Sequence, residues 1–522
     1  MARKITPKEG AQGRRSERKR FKMKGSLMKH LLIMVLACSG VMVSIPGICD
    51  DNLPISEATQ ECLGCHETFH PGIVADWKKS RHAMITPENA MKAAVPARKV
   101  SSAVIPDNLK AVVVGCAECH TQNPEAHSDT FSHNGFKVHV VVTPEDCAVC
   151  HLQEREQYAD NIMAHAWKNL MGNTLYQSLK QSITGSPSQK NHRVVYASPD
   201  ASMDATTCLY CHGTRLTVTG FEKRNTDAGE LEFPVIEGWP NQGVGRINPD
   251  GSLGACTSCH SRHSFSMETA RKPYTCKECH SGPDVPAYKV YEASKHGNIA
   301  ASQQAGWNFT AVPWKIGQDF TAPTCAVCHI SLLTGADGAV VAQRTHRMND
   351  RLSDRIFGLI YAHRQPKSPD TSIIRNKDGL PLPTDFDGSS AVSALIDDQE
   401  FQKRRETMQA ICKSCHSTSW VKGHWARYDH MIAATNIATH TATDTMREIW
   451  KRGYAPKPDK NLRIFDSAIE KKWSHIWLFD ANNARFAAAM AGGGDYSVFA
   501  EGFYPLSEHL QEMNDWLEHK GK

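Results

Sequence analysis

The residues of this chain best equipped for chemistry come in eight units of one kind, Cys-x-x-Cys-His. They are Cys62, Cys65 and His66; Cys116, Cys119 and His120; Cys147, Cys150 and His151; Cys208, Cys211 and His212; Cys256, Cys259 and His260; Cys276, Cys279 and His280; Cys325, Cys328 and His329; and Cys412, Cys415 and His416. The fifth and sixth pairs, separated by 16 residues, also fit the spacing of a four-thiolate zinc ribbon. Zinc has no use for the histidine that follows each pair. Haem has: two thiols three positions apart add to the two vinyl groups of one macrocycle, and the adjacent imidazole reaches the iron. The units consume 16 of the 18 cysteines, so the sequence predicts eight covalently bound c-type haems rather than zinc clips or disulfides.

A haem iron held by two histidines transfers electrons, whereas chemistry on a small molecule needs an iron with one open side. Eighteen of the 26 histidines lie outside the units, enough to saturate every iron or all but one. Counting therefore leaves both a catalytic chain and a pure electron conduit open. His82, His165, His263 and His296 follow polar or charged helical-looking stretches and are the leading candidates for distal iron ligands, followed by His139, His346 and His424. The bland alternative for each is a solvated or hydrogen-bonded histidine. None of the 17 methionines stands in a ligand motif.

The elements that must position these groups follow no fixed period. Successive first cysteines are 54, 31, 61, 48, 20, 49 and 87 residues apart, which excludes a solenoid. Segments such as "ITGSPSQKNHRVVYASPDASMDATT" and "RQPKSPDTSIIRNKDGLPLPTDFDGSS" are rich in Pro, Ser, Asp and Gly and read as long loops. Helical spacing is strongest in "DDQEFQKRRETMQAICKSCH" and "ATDTMREIWKRGY". The predicted fold class is mainly α: a multihaem cytochrome c with long loops, little β and a C-terminal helical bundle region. Its parts are an export signal or N-terminal anchor at 1–49, a haem-binding catalytic and electron-transfer body at 50–420, and a helical region at 421–522 that packs on itself or on another copy.

Residues 1–30 carry eleven Lys/Arg and two Glu, and the uncharged "LLIMVLACSGVMVSIPGI" follows. That is the layout of an export signal, too short in its strongly apolar part for a spanning helix. Cleavage near Cys49 is the leading expectation. An uncleaved anchor and a lipidated Cys38 are the alternatives, and Met28 is a second plausible start. The first 49 residues hold +9 of the formal +5, so the remainder is about −4 before any haem propionate is counted, and nothing favours nucleic acid.

Several stretches carry a family resemblance. "CHSRHSFSMETARKPYTCKECHSGPD" leading into "YEASKHG", then "VPWKIGQDFTAPTCAVCH", and a tail with "GGGDYSVFAEGFY" resemble the hydroxylamine oxidoreductase family of octahaem cytochromes c, from about Leu53 to Gln511. The resemblance implies a periplasmic homotrimer that oxidises hydroxylamine or hydrazine and passes electrons to a small cytochrome c or a membrane quinone-linked cytochrome. It implies that the fourth haem, on Cys208, Cys211 and His212, is five-coordinate and crosslinked to a C-terminal tyrosine of a neighbouring subunit, here Tyr496. The family's Asp-His pair after the sixth motif becomes Asp284 followed by Val285, and valine accepts no proton. That departure leaves Asp284 to handle protons alone, or favours the alternative of a nitrite or hydroxylamine reductase at an uncrosslinked haem. Locally, Asp284 in Gly-Pro-Asp-Val-Pro also suits a turn, and Tyr496 after three glycines also suits loop packing. The octahaem nitrite and tetrathionate reductases use a lysine at the catalytic iron, whereas all eight units here end in histidine.

Overall fold

Seven-residue spacing of apolar and small side chains makes Thr418–Lys451 one helix of 34 residues. Val421, Tyr428, Thr435, Thr439, Ala442, Met446 and Ile449 are its buried face, in steps of seven, seven, four, three, four and three. The Ser417 side chain caps its start by accepting from the Trp420 amide. The preceding helix, Asp398–Lys413, is capped by Asp397, which accepts from the Glu400 amide at 2.9 Å, and it carries Cys412 in its last turn. Further on, Ser467 and Glu470 cap each other at the start of Ala468–His475. That helix passes through a π turn, Ile476–Asp480, into Ala481–Ala489, and Phe503–Lys520 follows.

These helices share the main apolar core, built around Trp450, Trp473, Trp477, Phe465 and Met513 and reaching Leu175 and Leu179 on the helix Thr174–Thr184. A tail with no attachment site of its own is thus stabilised by helix-on-helix packing within the chain. By contrast, the apolar cluster near the third unit has three buried members, Val100, Ile105 and Leu109.

The structure, a computed structural model, describes residues 53–522 apart from 358, 457 and 459–463. The export segment, with Met28, Cys38 and Cys49, lies outside the described residues. Those described belong to one compact unit, and the helix Thr418–Lys451 runs through the boundary drawn at 420. That boundary separates no two bodies, because Leu175 and Leu359 of the haem-motif part join the same core as Trp450. No described helix is long and apolar enough to cross a membrane.

The fold is mainly α, about 50% helix and 12% strand, and its sheets have two or three strands each. One segment read as loop is a hairpin: Ser186–Lys190 pairs with Arg193–Ala197 through Asn191 and His192, at φ 50° and 62°. Nearly all its residues are exposed on both faces, so no alternation marks it in the sequence. The attachment units Cys116–His120, Cys208–His212 and Cys325–His329 are each a five-residue helix. On a helical turn, residues i, i+3 and i+4 share a face, which presents both thiols and the imidazole to one side.

Candidate functional site

None of the sixteen unit cysteines is in a disulfide. Those of the fifth and sixth units do not converge on a zinc site: Cys256 lies against Cys147, Cys276 against Cys325 and Cys279 against Cys211. Among the described residues, no cluster of three metal-donor side chains includes a cysteine. Burial pushes Cys119, Cys259 and Cys328 up to about 12, which disfavours their thiolate forms.

The same neighbours order the attachment points. Cys62 is near Cys116, Cys119 near Cys150, Cys147 near Cys256, Cys259 near Cys276, Cys276 near Cys325 and Cys328 near Cys412. The run is therefore one, two, three, five, six, seven, eight. The fourth unit attaches to it through Cys211 and Cys279, as a branch at the sixth.

Two imidazoles bonded at about 2 Å to opposite sides of one iron have ring centres about 6 Å apart. Five unit histidines have such a partner: His66 with His133 at 6.1 Å, His120 with His139 at 6.0 Å, His151 with His82 at 6.2 Å, His260 with His346 at 6.5 Å and His416 with His296 at 6.0 Å. Burial, followed by neighbouring histidine charge, lowers His82, His260 and His346 to about 4, which keeps them neutral and their lone pairs available. His82 and His296 are held alike: each is the second residue of a helix whose capping serine, Ser80 or Ser294, accepts from the amide one residue beyond the histidine. His346 is fixed through its backbone, its amide donating to Gln157 and its carbonyl accepting from Asn161. Sequence reasoning misses His133, which sits at the end of a three-residue strand, Phe131–His133, with its Nδ1 buried and unpartnered. These cysteines without disulfides, opposed neutral imidazoles and unpartnered ring nitrogens fit covalently bound haem.

His263, His165 and His424 are placed differently. Burial, then the charge of His120, lowers His263 to about 4, which puts it beside the second unit. His165 Nε2 is 2.9 Å from the Ala159 carbonyl, and its Nδ1 is buried without a partner. His424 stacks on Trp420, which itself stacks on His416, so an indole separates the two imidazoles. His139, opposite His120, has its Nε2 buried without a partner, and its carbonyl is bonded to His120 Nδ1, which leaves His120 Nε2 for a metal. The His139 ring also stacks on His127 at 3.6 Å.

His127 lies between two buried carboxylates, Asp129 Oδ1 at 3.5 Å and Asp146 Oδ1 at 3.2 Å. Burial alone would lower its pKa. The hydrogen bonds and charges of Asp129 and Asp146 outweigh burial and raise it to about 9. A raised pKa contributes stability that is fully present below about 6.5 and lost as pH climbs through 9. Thermal unfolding of the holoprotein should therefore show a midpoint that falls over that range, and His127→Gln should flatten the fall. An equally steep fall in the variant would assign it to other groups.

The fourth unit has distinct surroundings. His212 Nδ1 is 3.3 Å from the Ala166 carbonyl, which leaves Nε2 for a metal. Gly213 follows at φ 89°, and a Cβ there would collide with the Gly245–Arg246 backbone. Among the described residues no imidazole stands opposite His212 at the iron-spanning distance, nor opposite His280 or His329. The charges acting on the His212 ring are Asp284, which also acts on His280, and Arg355, which does not. Both also act on the partly buried Tyr176, whose hydroxyl Arg355 contacts. Neither Arg355 nor Tyr176 is legible in the sequence. Arg355 ends a two-residue strand paired with His363, a buried histidine whose Nδ1 is 2.6 Å from the Arg364 carbonyl and whose Nε2 is unpartnered. Burial, then Arg355, holds His363 down at about 3, so it is no proton acceptor at neutral pH.

Asp284 and Tyr496 are brought into one neighbourhood by two adjacent asparagines. Asn482 Nδ2 donates to the Asp284 carbonyl at 2.9 Å, and the Tyr496 hydroxyl donates to Asn483 Oδ1 at 3.1 Å. Tyr496 is partly buried in an apolar cluster with Val285, Phe357 and Phe486, and burial, then Glu501, raises its hydroxyl to about 12. A Cβ at Gly492 would overlap Val290, so glycine permits this approach of the tail.

The chain is similar to several known proteins. Residues 250–354 match a family described as a multihaem cytochrome with seven CxxCH motifs. A solved "hypothetical multiheme protein" is 41% identical, with 91% of this chain and 98% of that one covered and a TM-score of 0.84. A probable nitrite reductase-hydroxylamine oxidoreductase fusion protein of Kuenenia stuttgartiensis is 26% identical over 281 residues, 48% of this chain. This chain spans 30% of the length of that relative. The reducing HAO-like protein complex Kustc0457/Kustc0458 of Kuenenia stuttgartiensis has a similar fold at 18% identity, with a TM-score of 0.57 over 89% of this chain and 85% of that one.

Proposed function

We propose, since the chain belongs to the hydroxylamine oxidoreductase-like family of multihaem cytochromes c, that it converts a small inorganic nitrogen compound at the haem held by Cys208, Cys211 and His212. One observation carries this reading: of the three unit histidines with no imidazole opposite them among the described residues, His212 alone has both Asp284 and Arg355 acting on its ring. The branch position of the fourth unit supports it, since a terminus is where electrons enter or leave a relay of the other seven haems. Bound haem supplies a nitrogen-coordinating iron and a route for electrons.

The direction best supported is reduction of nitrite or hydroxylamine. Arg355 offers a fixed cation to an anionic oxygen, and its guanidinium is suited to such a group. Asp284 and the Tyr176 hydroxyl, which Arg355 contacts, stand beside it as groups for proton transfer. Oxidation of hydroxylamine or hydrazine is the second reading. It needs a proton acceptor, and Val285 sits where the family's histidine is expected, packed among Phe357 and Tyr496. It also gains from a tyrosine crosslink, for which Tyr496 is the candidate.

Export to the periplasm, a homotrimer and a small cytochrome or quinone-linked redox partner complete the proposal, motivated by the N-terminal residues and the family. The reduced holoprotein tests its direction. Ordinary c-type bands, chains that separate on denaturation, and nitrite consumption with a reduced dye are expected. An extra band to the red of the Soret with an inseparable oligomer and hydroxylamine oxidation would overturn the reductive direction.

A further inference from the structure

We propose that His475, Asp480 and His509 form a binding site for a divalent first-row transition metal ion of the zinc class, separate from the haem irons. One ligand atom from each of the three lies within 4.8 Å of the others. Asp480 bridges the two imidazoles: its Oδ2 is 2.7 Å from His509 Nδ1, and its Oδ1 is 3.3 Å from His475 Nδ1. The rings stand nearly perpendicular, at 82°, with centres 4.6 Å apart. The carboxylate is the deep member, with its side chain 4% exposed against 16% for His509 and 43% for His475, so an ion has access from one side.

The backbone is shaped for this arrangement. Residues five apart on a regular α-helix point well away from each other, because 3.6 residues complete a turn. His475 and Asp480 face one another because Ile476–Asp480 is a π turn, whose bonds join residues five apart, as in the Ala481 amide to the Ile476 carbonyl. The insertion sets Asp480 under His475 and opposite His509 on the helix Phe503–Lys520. His475 Nδ1 is buried yet makes no hydrogen bond, so its contact with Asp480 has a polar atom to spare. Phe479 holds the His475 ring edge-on at 4.8 Å. Glu512 lies one turn beyond His509, paired with Lys472 at 2.6 Å, and is within reach of both imidazole charges.

Two imidazoles and a carboxylate suit zinc, nickel or copper, whereas calcium and magnesium prefer oxygen donors throughout. With Glu512 as a fourth donor, two carboxylates would balance a divalent charge. The competing reading is a hydrogen-bonded brace between the helices Ala468–His475 and Phe503–Lys520.

Equilibrium dialysis of the chelator-treated, full-length holoprotein against zinc, with iron and zinc counted together by mass spectrometry, separates them. The iron count fixes the chain concentration. The wild type should retain one zinc per chain that the double variant His475→Asn/His509→Gln binds at least ~100-fold more weakly, with unchanged haem absorption. Glu512→Gln should weaken it by a smaller factor. Zinc should raise the unfolding midpoint of the wild type and leave that of the double variant unmoved. Equal zinc retention by wild type and double variant would overturn the site, as would a wild type that retains none. A midpoint lowered by the substitutions equally with and without zinc would do the same, leaving only the brace.

Discussion

Replacing Asp284 with asparagine is expected to lower kcat for nitrite or hydroxylamine reduction by about 10²–10⁴-fold, the usual range for a positioned proton-transfer group. Asparagine keeps the size of the side chain and the turn-forming capacity of Ser-Gly-Pro-Asp-Val-Pro, so the local backbone should survive. The contact that anchors this segment, from Asn482 to residue 284, is made to a backbone carbonyl and does not depend on the carboxylate. Haem absorption should therefore match the wild type while turnover falls. Full activity in Asp284→Asn would assign the residue to the turn alone and remove its proton role.

Arg355→Met should lower kcat/KM for nitrite by about 10²–10³-fold, as loss of one fixed donor to a developing anion does. The effect on hydroxylamine, uncharged near neutral pH, should be much smaller. This asymmetry follows from where the guanidinium sits: its charge acts on His212, on Tyr176 and on His363. Methionine retains much of the arginine's apolar stem and bulk, so packing against Phe357, over which Arg355 lies at 5.0 Å, should largely persist. Equal losses for the charged and uncharged substrates would place Arg355 in a structural role and remove the case for anion binding.

The parts of this site that a linear reading reveals are those with local chemistry. Cys-x-x-Cys-His is legible because thiols and imidazole act within one helical turn. The long C-terminal helices are legible because their buried positions recur every three, four or seven residues. His82 and His296 are marked by a serine cap that fixes the histidine at the second position of its helix. His133, Arg355 and Tyr176 are not legible, since each gains its role from a segment distant in the chain. His139, a ligand candidate by context, also stacks on His127 beside buried carboxylates, a contact that no local signal announces. The π turn at Ile476–Asp480 has no signal at all, because its residues, Ile-Trp-Leu-Phe-Asp, suit an ordinary helix. The hairpin Ser186–Lys190 with Arg193–Ala197 lacks the inside-outside alternation that would announce it.

Quantitative low-temperature electron paramagnetic resonance of the oxidised full-length protein, with and without cyanide, tests the open fourth iron most directly. One high-spin ferric ion among eight is predicted, turning low-spin when cyanide binds and missing from Cys208→Ala/Cys211→Ala. Eight low-spin ions in the untreated protein, or a high-spin signal that persists in that double variant, would contradict it.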